Sequence, residues 1–348
     1  MDDDSRQSPE TAERLVGQSS AEAFLATAWS SGKLAHGWLL TGSEGIGKAT
    51  LAYRFAKAIL ATAGTHDPRG ADLPGLDMPA SLPEIDINHP VARLIVAHAH
   101  PNLEVIRRSV HPKTGKMRSE ITVDEVRKAL KFLHNTAVDG GWRVVIVDPV
   151  DDMNRNAANA LLKALEEPPK RCLFLLVNHV PGKVLPTIRS RCQVLQMPSL
   201  SEPDTREVVE AVAPATDPAS IDGVIPLADG SPGRALALLD ADAPGLDRQL
   251  AAIMQSAEAG GTAKALDLAE QVSRANATVA FRTTGQLLAR RLMRHSKDAA
   301  TAQARNAAAR LWFELAERFR ETENLNLDRR HAVMRACLDT REIVARRQ

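Results

Sequence analysis

At 348 residues the chain exceeds one ordinary domain, and its 44% apolar and 25% charged content excludes a disordered or fibrous polymer. Aromatic residues amount to 3%, so the cores rest on Leu, Val, Ile and Ala, which favours helix-rich packing over an all-β sandwich. Lys and Arg number 44 against 43 Asp and Glu, a net charge of +1, so no global field draws in nucleic acid and any such contact is local or shared with partners.

Cys172, Cys192 and Cys337 are widely spaced and odd in number, which supports neither a disulfide framework nor a four-thiolate zinc site and fits a reducing cytoplasm. The start Met1-Asp2-Asp3-Asp4 lacks a basic region followed by an apolar one, and no apolar run approaches the ~20 residues that span a bilayer. A cytoplasmic protein outside the membrane is expected.

Residues 1 to about 13 are polar and expected to fray, after which Leu15, Phe24, Leu25, Ala28 and Trp29 introduce a helical pattern. His36–Thr41 reads as a short buried strand running into the glycine-rich stretch Gly42–Lys48, and Leu51–Leu60 repeats apolar residues at helical spacing. Residues 63–83, rich in Pro, Gly and Asp, read as a loop, followed by a strand over Asn102–Arg107 and a turn at His111–Gly115. A capping box at Thr122 and Glu125 opens a helix carrying Val126, Leu130 and Leu133, and Gly140-Gly141 ends that connection. Arg143–Asp148 reads as a buried parallel strand ending in a carboxylate, Asn156–Glu167 as a helix stopped by Pro168-Pro169, Cys172–Asn178 as a strand, and Val194–Met197 as the last. From about residue 200 the pattern is helical throughout. The expected organisation is a nucleotide-binding α/β domain over 1–200, a small helical lid over 201–243 and an all-α domain over 244–348.

Gly42-Ser-Glu-Gly45-Ile46-Gly47-Lys48 has Walker A spacing between a strand and a helix, where glycines let backbone N–H groups wrap a phosphate and Lys48 reaches the β/γ-phosphates. The motif requires Ser or Thr next, because that hydroxyl ligates Mg²⁺, and this chain has Ala49. Thr50 follows one residue late, and one step turns a helix by roughly 100°, which aims its hydroxyl elsewhere. ATP bound without effective hydrolysis, with Mg²⁺ weak or absent, is the expectation.

Asp148 ends its strand either as a Walker B aspartate or as a solvated strand end, and Pro149 stands where an active ATPase carries the Glu that activates water. Asn178 is either a γ-phosphate sensor or a turn-making residue. Arg189 and Arg191, before the last strand, pair with surface carboxylates or supply a planar, permanently charged fork to a phosphate on an adjacent subunit.

Gly45-Ile-Gly47-Lys48, Asn159-Ala-Leu-Leu-Lys163, Leu165-Glu-Glu-Pro-Pro169, Leu185-Pro-Thr-Ile188 and Ser190-Arg191-Cys192 together resemble, in order, the bacterial DNA polymerase III clamp-loader family. The resemblance covers roughly residues 12–240 and implies an AAA+ P-loop NTPase-type parallel sheet flanked by helices, followed by a helical lid and an all-α collar. Ala49, Pro149 and Leu325-Asn-Leu-Asp-Arg-Arg330 look like its delta-prime type rather than its motor type. What that implies is a hetero-pentamer with motor (gamma/tau-type) and delta-type subunits that loads a sliding clamp onto primed DNA. In it Arg191 would act in trans on a neighbour's ATP, while Gly42, Gly45, Ile46, Gly47, Lys48, Ala49, Thr50, Asp148, Asn178 and Arg234 would line this chain's own nucleotide site.

This sequence departs from the family at two places. The family's four-cysteine zinc module has no counterpart, and His89, His98, His100 and His111 offer no spacing that closes a tetrahedron, so zinc is not expected. Gly230-Ser-Pro-Gly-Arg234 resembles a sensor-2 helix start with Arg234 one place late. An active motor ATPase is the alternative function, opposed by Ala49 and Pro149, and a small-molecule P-loop kinase leaves the all-α third without a purpose. Arg290, Arg291, Arg294, Arg329 and Arg330 read as solvated helix faces. No converging set of metal-binding carboxylates marks a polymerase site, so any polymerase activity belongs to the holoenzyme.

Overall fold

The computed structural model describes residues 8–345 apart from 63–80, 112–114, 116, 135–140, 257, 275 and 276. Most of the expected loop over 63–83, the centre of the turn at 111–115, Gly140 and residues 1–7 therefore lie outside the described residues. Helix α1 (Ser19–Ser30) precedes β1 (Gly37–Thr41) and α2 (Lys48–Thr62), then α3 (Pro90–Val96), β2 (Leu103–Ile106) and α4 (Val123–His134). Next come β3 (Arg143–Val147), α5 (Arg155–Glu166), β4 (Cys172–Asn178), α6 (Pro186–Arg189) and β5 (Gln193–Gln196). After β5 the described chain holds no further strand of the sheet: α7 (Glu202–Val212), α8 (Pro218–Val224), α9 (Pro232–Asp240), α10 (Ala243–Gln255), α11 (Glu258–Val272), α12 (Thr278–Asp298), α13 (Ala302–Asn324) and α14 (Arg329–Ala345) follow.

All strand pairs are parallel and the order is β2-β3-β4-β1-β5. Successive side chains of a strand point to opposite faces, and both faces are covered. Trp38, Leu40, Val144, Ile146, Leu173 and Leu175 join Leu25, Phe55, Ile59 and Ile95 of α1, α2 and α3 in one core. Leu39, Val145, Val147, Phe174 and Leu176 join Val126, Leu133, Leu161 and Ile188 of α4, α5 and α6 in the other. This is the expected α/β architecture, a parallel sheet flanked by helices and followed by a helical region. It sets Thr41, Asp148, Asn178 and Met197 at one edge of the sheet, where parallel α/β folds place their ligands.

Local chemistry accounts for the element ends. Glu125 reaches back to the Thr122 N–H at 2.8 Å, closing the expected capping box, and Asn154 caps α5 by accepting from Ala157 N–H at 3.0 Å. Helix α3 was not expected from the sequence; Pro90 at its first turn and His89, whose Nδ1 accepts from Val91 N–H at 3.2 Å, start it.

The chain divides into two compact units, Met1–Ala213 with Gly230–Gly233, and Pro214–Asp229 with Arg234–Gln348. Helix α7 lies in the first, although the sequence reading starts the lid at residue 201. The second unit is a helical assembly around Leu250, Leu268, Phe281, Leu288, Leu292, Leu315 and Val333. Several arginines read as solvated are paired there: Arg291 with Asp247 at 2.7 Å, Arg330 with Glu270 at 2.8 Å, and Arg329 over the Phe281 ring at 5.4 Å.

Residues 8–13 depart from the expected frayed terminus. Glu10 is only 7% exposed, and Arg54 ties the Glu13 carbonyl to Glu22 of α1 at 2.8 Å. Burial raises the Glu10 carboxyl pKa, but hydrogen bonds from its own backbone, Ser8 and Tyr53, together with the Arg107 cation, outweigh it and hold the group below its ordinary range.

Candidate functional site: a braced phosphate loop and a surface arginine

The loop between β1 and α2 needs its glycines. Gly42, Gly45 and Gly47 have φ of 152°, 77° and 98°. A Cβ on Gly42 would lie 2.4 Å from the Met197 carbonyl, and one on Gly47 would lie 2.8 Å from Leu15. The loop is braced from two distant parts of the chain. Gln18 Nε2 donates to Ile46 O at 3.2 Å and Pro198 O at 2.8 Å, Ser231 Oγ donates to Glu44 O at 2.7 Å, and Gly233 N–H donates to Gly45 O at 3.0 Å. Lys48 Nζ folds back onto Gly42 O, at 2.7 Å, and onto Ser43 O. With these carbonyls occupied, the N–H groups at the start of α2 are left to face an anion, which fits the triphosphate end of a nucleotide.

Magnesium fits less well. Ala49, in the position of the metal-binding hydroxyl, packs against the apolar core. Asp148 lies directly beyond β3, its N–H donating to Ile106 O at 2.9 Å, and is joined to Pro149 by a cis peptide bond. Burial raises its carboxyl pKa and Glu10 adds to this, against His179 and Lys48. Among the described residues no cluster of three or more His, Cys, Asp or Glu side chains could hold a metal ion. His98 Nε2 lies 3.3 Å from Arg107 Nη2, and His100 Nδ1 accepts from Asn102 N–H at 3.1 Å.

Asn178 is fully buried, and its amide is engaged at both ends: Oδ1 accepts from Thr41 Oγ1 at 3.0 Å and Nδ2 donates to Asp151 Oδ1 at 3.0 Å. The same Asp151 oxygen accepts from His179 N–H at 2.9 Å. Asp151 therefore joins the ends of β1, β3 and β4. His179 was missed altogether, its only signal being that it follows Asn178. Burial, then the Lys48 charge, lowers its pKa, opposed by Asp151, Glu44 and Asp148. Burial likewise lowers the Lys48 amine to about 8, although the same three carboxylates pull it upward.

Arg191 follows α6 at the surface, 35% exposed, its Nη2 2.7 Å from Glu166 Oε1. Its Nη1 donates to Thr187 O at 3.0 Å and to Ser190 Oγ at 3.4 Å. An ion pair this exposed is worth about 1 kcal/mol or less. Arg234 belongs to the second unit, where it meets Asp229 at 2.7 Å and Gln286 at 3.4 Å. No described helix is long and apolar enough to cross a membrane.

A family described as DNA polymerase III, delta subunit, matches residues 82–201, the stretch that runs from before α3 to the end of the sheet. The chain is 33% identical over 198 residues to DNA polymerase III subunit delta' of Pseudomonas aeruginosa, covering 57% of this chain and 54% of that one. Together these matches support a DNA polymerase III clamp-loader-family subunit. It is also 28% identical over 275 residues to DNA polymerase III subunit tau of Escherichia coli, covering 77% of this chain and 39% of the relative. The chain thus spans about half the length of the delta' relative and less of the tau relative. A solved structure of a DNA polymerase III gamma subunit-related protein from Thermotoga maritima aligns over 91% of this chain and 98% of its own, at 16% identity and a TM-score of 0.47.

Proposed function

We propose that this chain is a delta-prime-type clamp-loader subunit: a cytoplasmic ring component that retains a phosphate loop, hydrolyses little ATP itself, and offers Arg191 to the ATP of a neighbouring gamma/tau-type motor subunit. The observation that carries the reading is a division of parts. Ala49 is packed on the core where the magnesium-binding hydroxyl would stand and Pro149 follows Asp148, while a guanidinium with donors to spare stands at the surface after α6. A cation placed beside a transferring phosphoryl group neutralises the charge that develops there. The subunit would act with motor and delta-type partners in a pentamer that loads a sliding clamp onto primed DNA, and ATP in its own loop would be held rather than turned over.

The test is a reconstituted loader containing Arg191→Ala. Intact assembly with DNA-stimulated ATP turnover reduced ~10³-fold or more at the neighbouring site is expected from the contribution of such arginines. Unchanged turnover would remove the trans-acting role. The motor reading is favoured by one observation, the complete glycine loop with Lys48 in place. Steady ATP hydrolysis by the isolated chain, abolished by Lys48→Ala, would establish it instead.

A further inference from the structure

The guanidinium of Arg191 is held on two sides by groups from two elements. Glu166, the last residue of α5, meets Nη2 at 2.7 Å, while the turn of α6 offers Thr187 O to Nη1 at 3.0 Å and Ser190 Oγ at 3.4 Å. Helix α5 is a rigid mount for Glu166: it is capped by Asn154, buries Ala157, Leu161 and Leu165, and packs on α6. Among the described residues Nε of Arg191 has no partner, so one edge of the planar fork is committed and another remains open. A long, partly exposed arginine otherwise samples many rotamers, and a charge that must meet a phosphate loses effect when it wanders. Glu166 is itself 48% exposed, so solvent screens its carboxylate and it orients the cation without extinguishing the field the cation casts.

We propose that Glu166 is a positioning residue for Arg191, fixing the guanidinium so that its open edge faces the phosphate of an adjacent subunit. This rests on the trans-acting reading of Arg191 given above. Glu166 touches neither nucleotide nor metal in this scheme and acts only through the arginine.

The test compares Glu166→Ala, Glu166→Gln, Arg191→Ala and the Glu166→Ala/Arg191→Ala double variant in the reconstituted loader, with steady-state ATP hydrolysis measured in the presence of clamp and primed DNA. Glu166→Ala is expected to lower kcat about tenfold with KM little changed, as misplacement of a catalytic group does. Glu166→Gln, which keeps an oxygen acceptor, is expected to restore most of the rate. The double variant is expected to be no slower than Arg191→Ala. Wild-type turnover in Glu166→Ala beside a strong loss in Arg191→Ala would overturn the positioning role and leave the trans-acting role standing. Unchanged turnover in Arg191→Ala would overturn both. A further loss in the double variant would place the effect of Glu166 elsewhere and overturn the proposal. A second readout needs no assembly: ¹⁵N relaxation of the Arg191 Nε–H in the isolated full chain should show greater mobility in Glu166→Ala, and equal mobility would count against the proposal.

Discussion

The N–H of Gly233 donates to the carbonyl of Gly45 at 3.0 Å, and the two backbones are so close that a Cβ on Gly233 would lie 2.8 Å from Gly45 Cα. Both sides of this contact are main chain, so neither can swing aside as the tip of a side chain would. Gly233→Ala is therefore expected to displace the phosphate loop and cost about 1–3 kcal/mol, the range for overpacked sites. Gly182→Ala is the control, because nothing lies within 4 Å of its added Cβ. Denaturant melts should show a lowered midpoint for the first and little change for the second; equal midpoints would mean that the Gly233 contact carries no constraint.

The charge of Lys48 gives a pH dependence with a definite sign. Burial lowers its amine from the ordinary 10.5 to about 8 in the folded chain, so the folded state binds this proton less tightly than the unfolded one. The resulting penalty is fully present below about pH 8 and is relieved as pH rises from there towards 10.5. Relative to Lys48→Met, the wild-type chain should gain stability across that window. Binding of ATP without Mg²⁺ should run the other way and weaken above about pH 8, because the complex must take up a proton that the free loop has lost. Calorimetric titrations at several pH values check the second statement, and an affinity that is flat across the window would show that Lys48 does not meet the anion.

Strands β1, β3 and β4 were legible because a parallel strand buried on both faces must be apolar nearly throughout, as Arg143–Val147 and Cys172–Asn178 are. The phosphate loop was legible because its chemistry is local. Helix α3 was not: seven residues are too few to display a helical period, and its signals are a proline and a capping histidine. The braces were hidden for another reason. Gln18, Ser231 and Gly233 reach the loop from opposite ends of the first unit, and Glu166 meets Arg191 across a strand and a short helix. Glu10 looks like one acid among several in a polar terminus, and its burial is offset by hydrogen bonds from its own backbone, Ser8 and Tyr53 and by the Arg107 cation.

Gln18 offers a direct measure of how far the loop depends on such a brace. It is 2% exposed, and its amide supplies a donor to both Ile46 O and Pro198 O. Gln18→Leu keeps the volume roughly constant but removes the donor from two carbonyls at once, so a loss of about 1–3 kcal/mol is expected. Gln18→Glu should be worse, since a buried carboxylate would face two acceptors. Chemical denaturation of the three proteins orders them, and a Glu variant as stable as wild type would contradict the hydrogen-bond assignment.

The two ends of α5 can be uncoupled. Asn154 at its start accepts from Ala157 N–H at 3.0 Å, and Glu166 at its end meets Arg191. Asn154→Ala removes the cap and should cost about 0.5–2 kcal/mol, whereas Asn154→Asp or Asn154→Ser should restore most of it, because either side chain can accept the same bond. Leu161 and Leu165 anchor the helix beyond its first turn. The fraying should therefore stay near Ala157 and leave the Glu166–Arg191 pair intact. Hydrogen exchange resolves this: faster exchange confined to the first turn of α5 is the expected outcome, and loss of protection running through to Glu166 would show that the helix is not the rigid mount its packing implies.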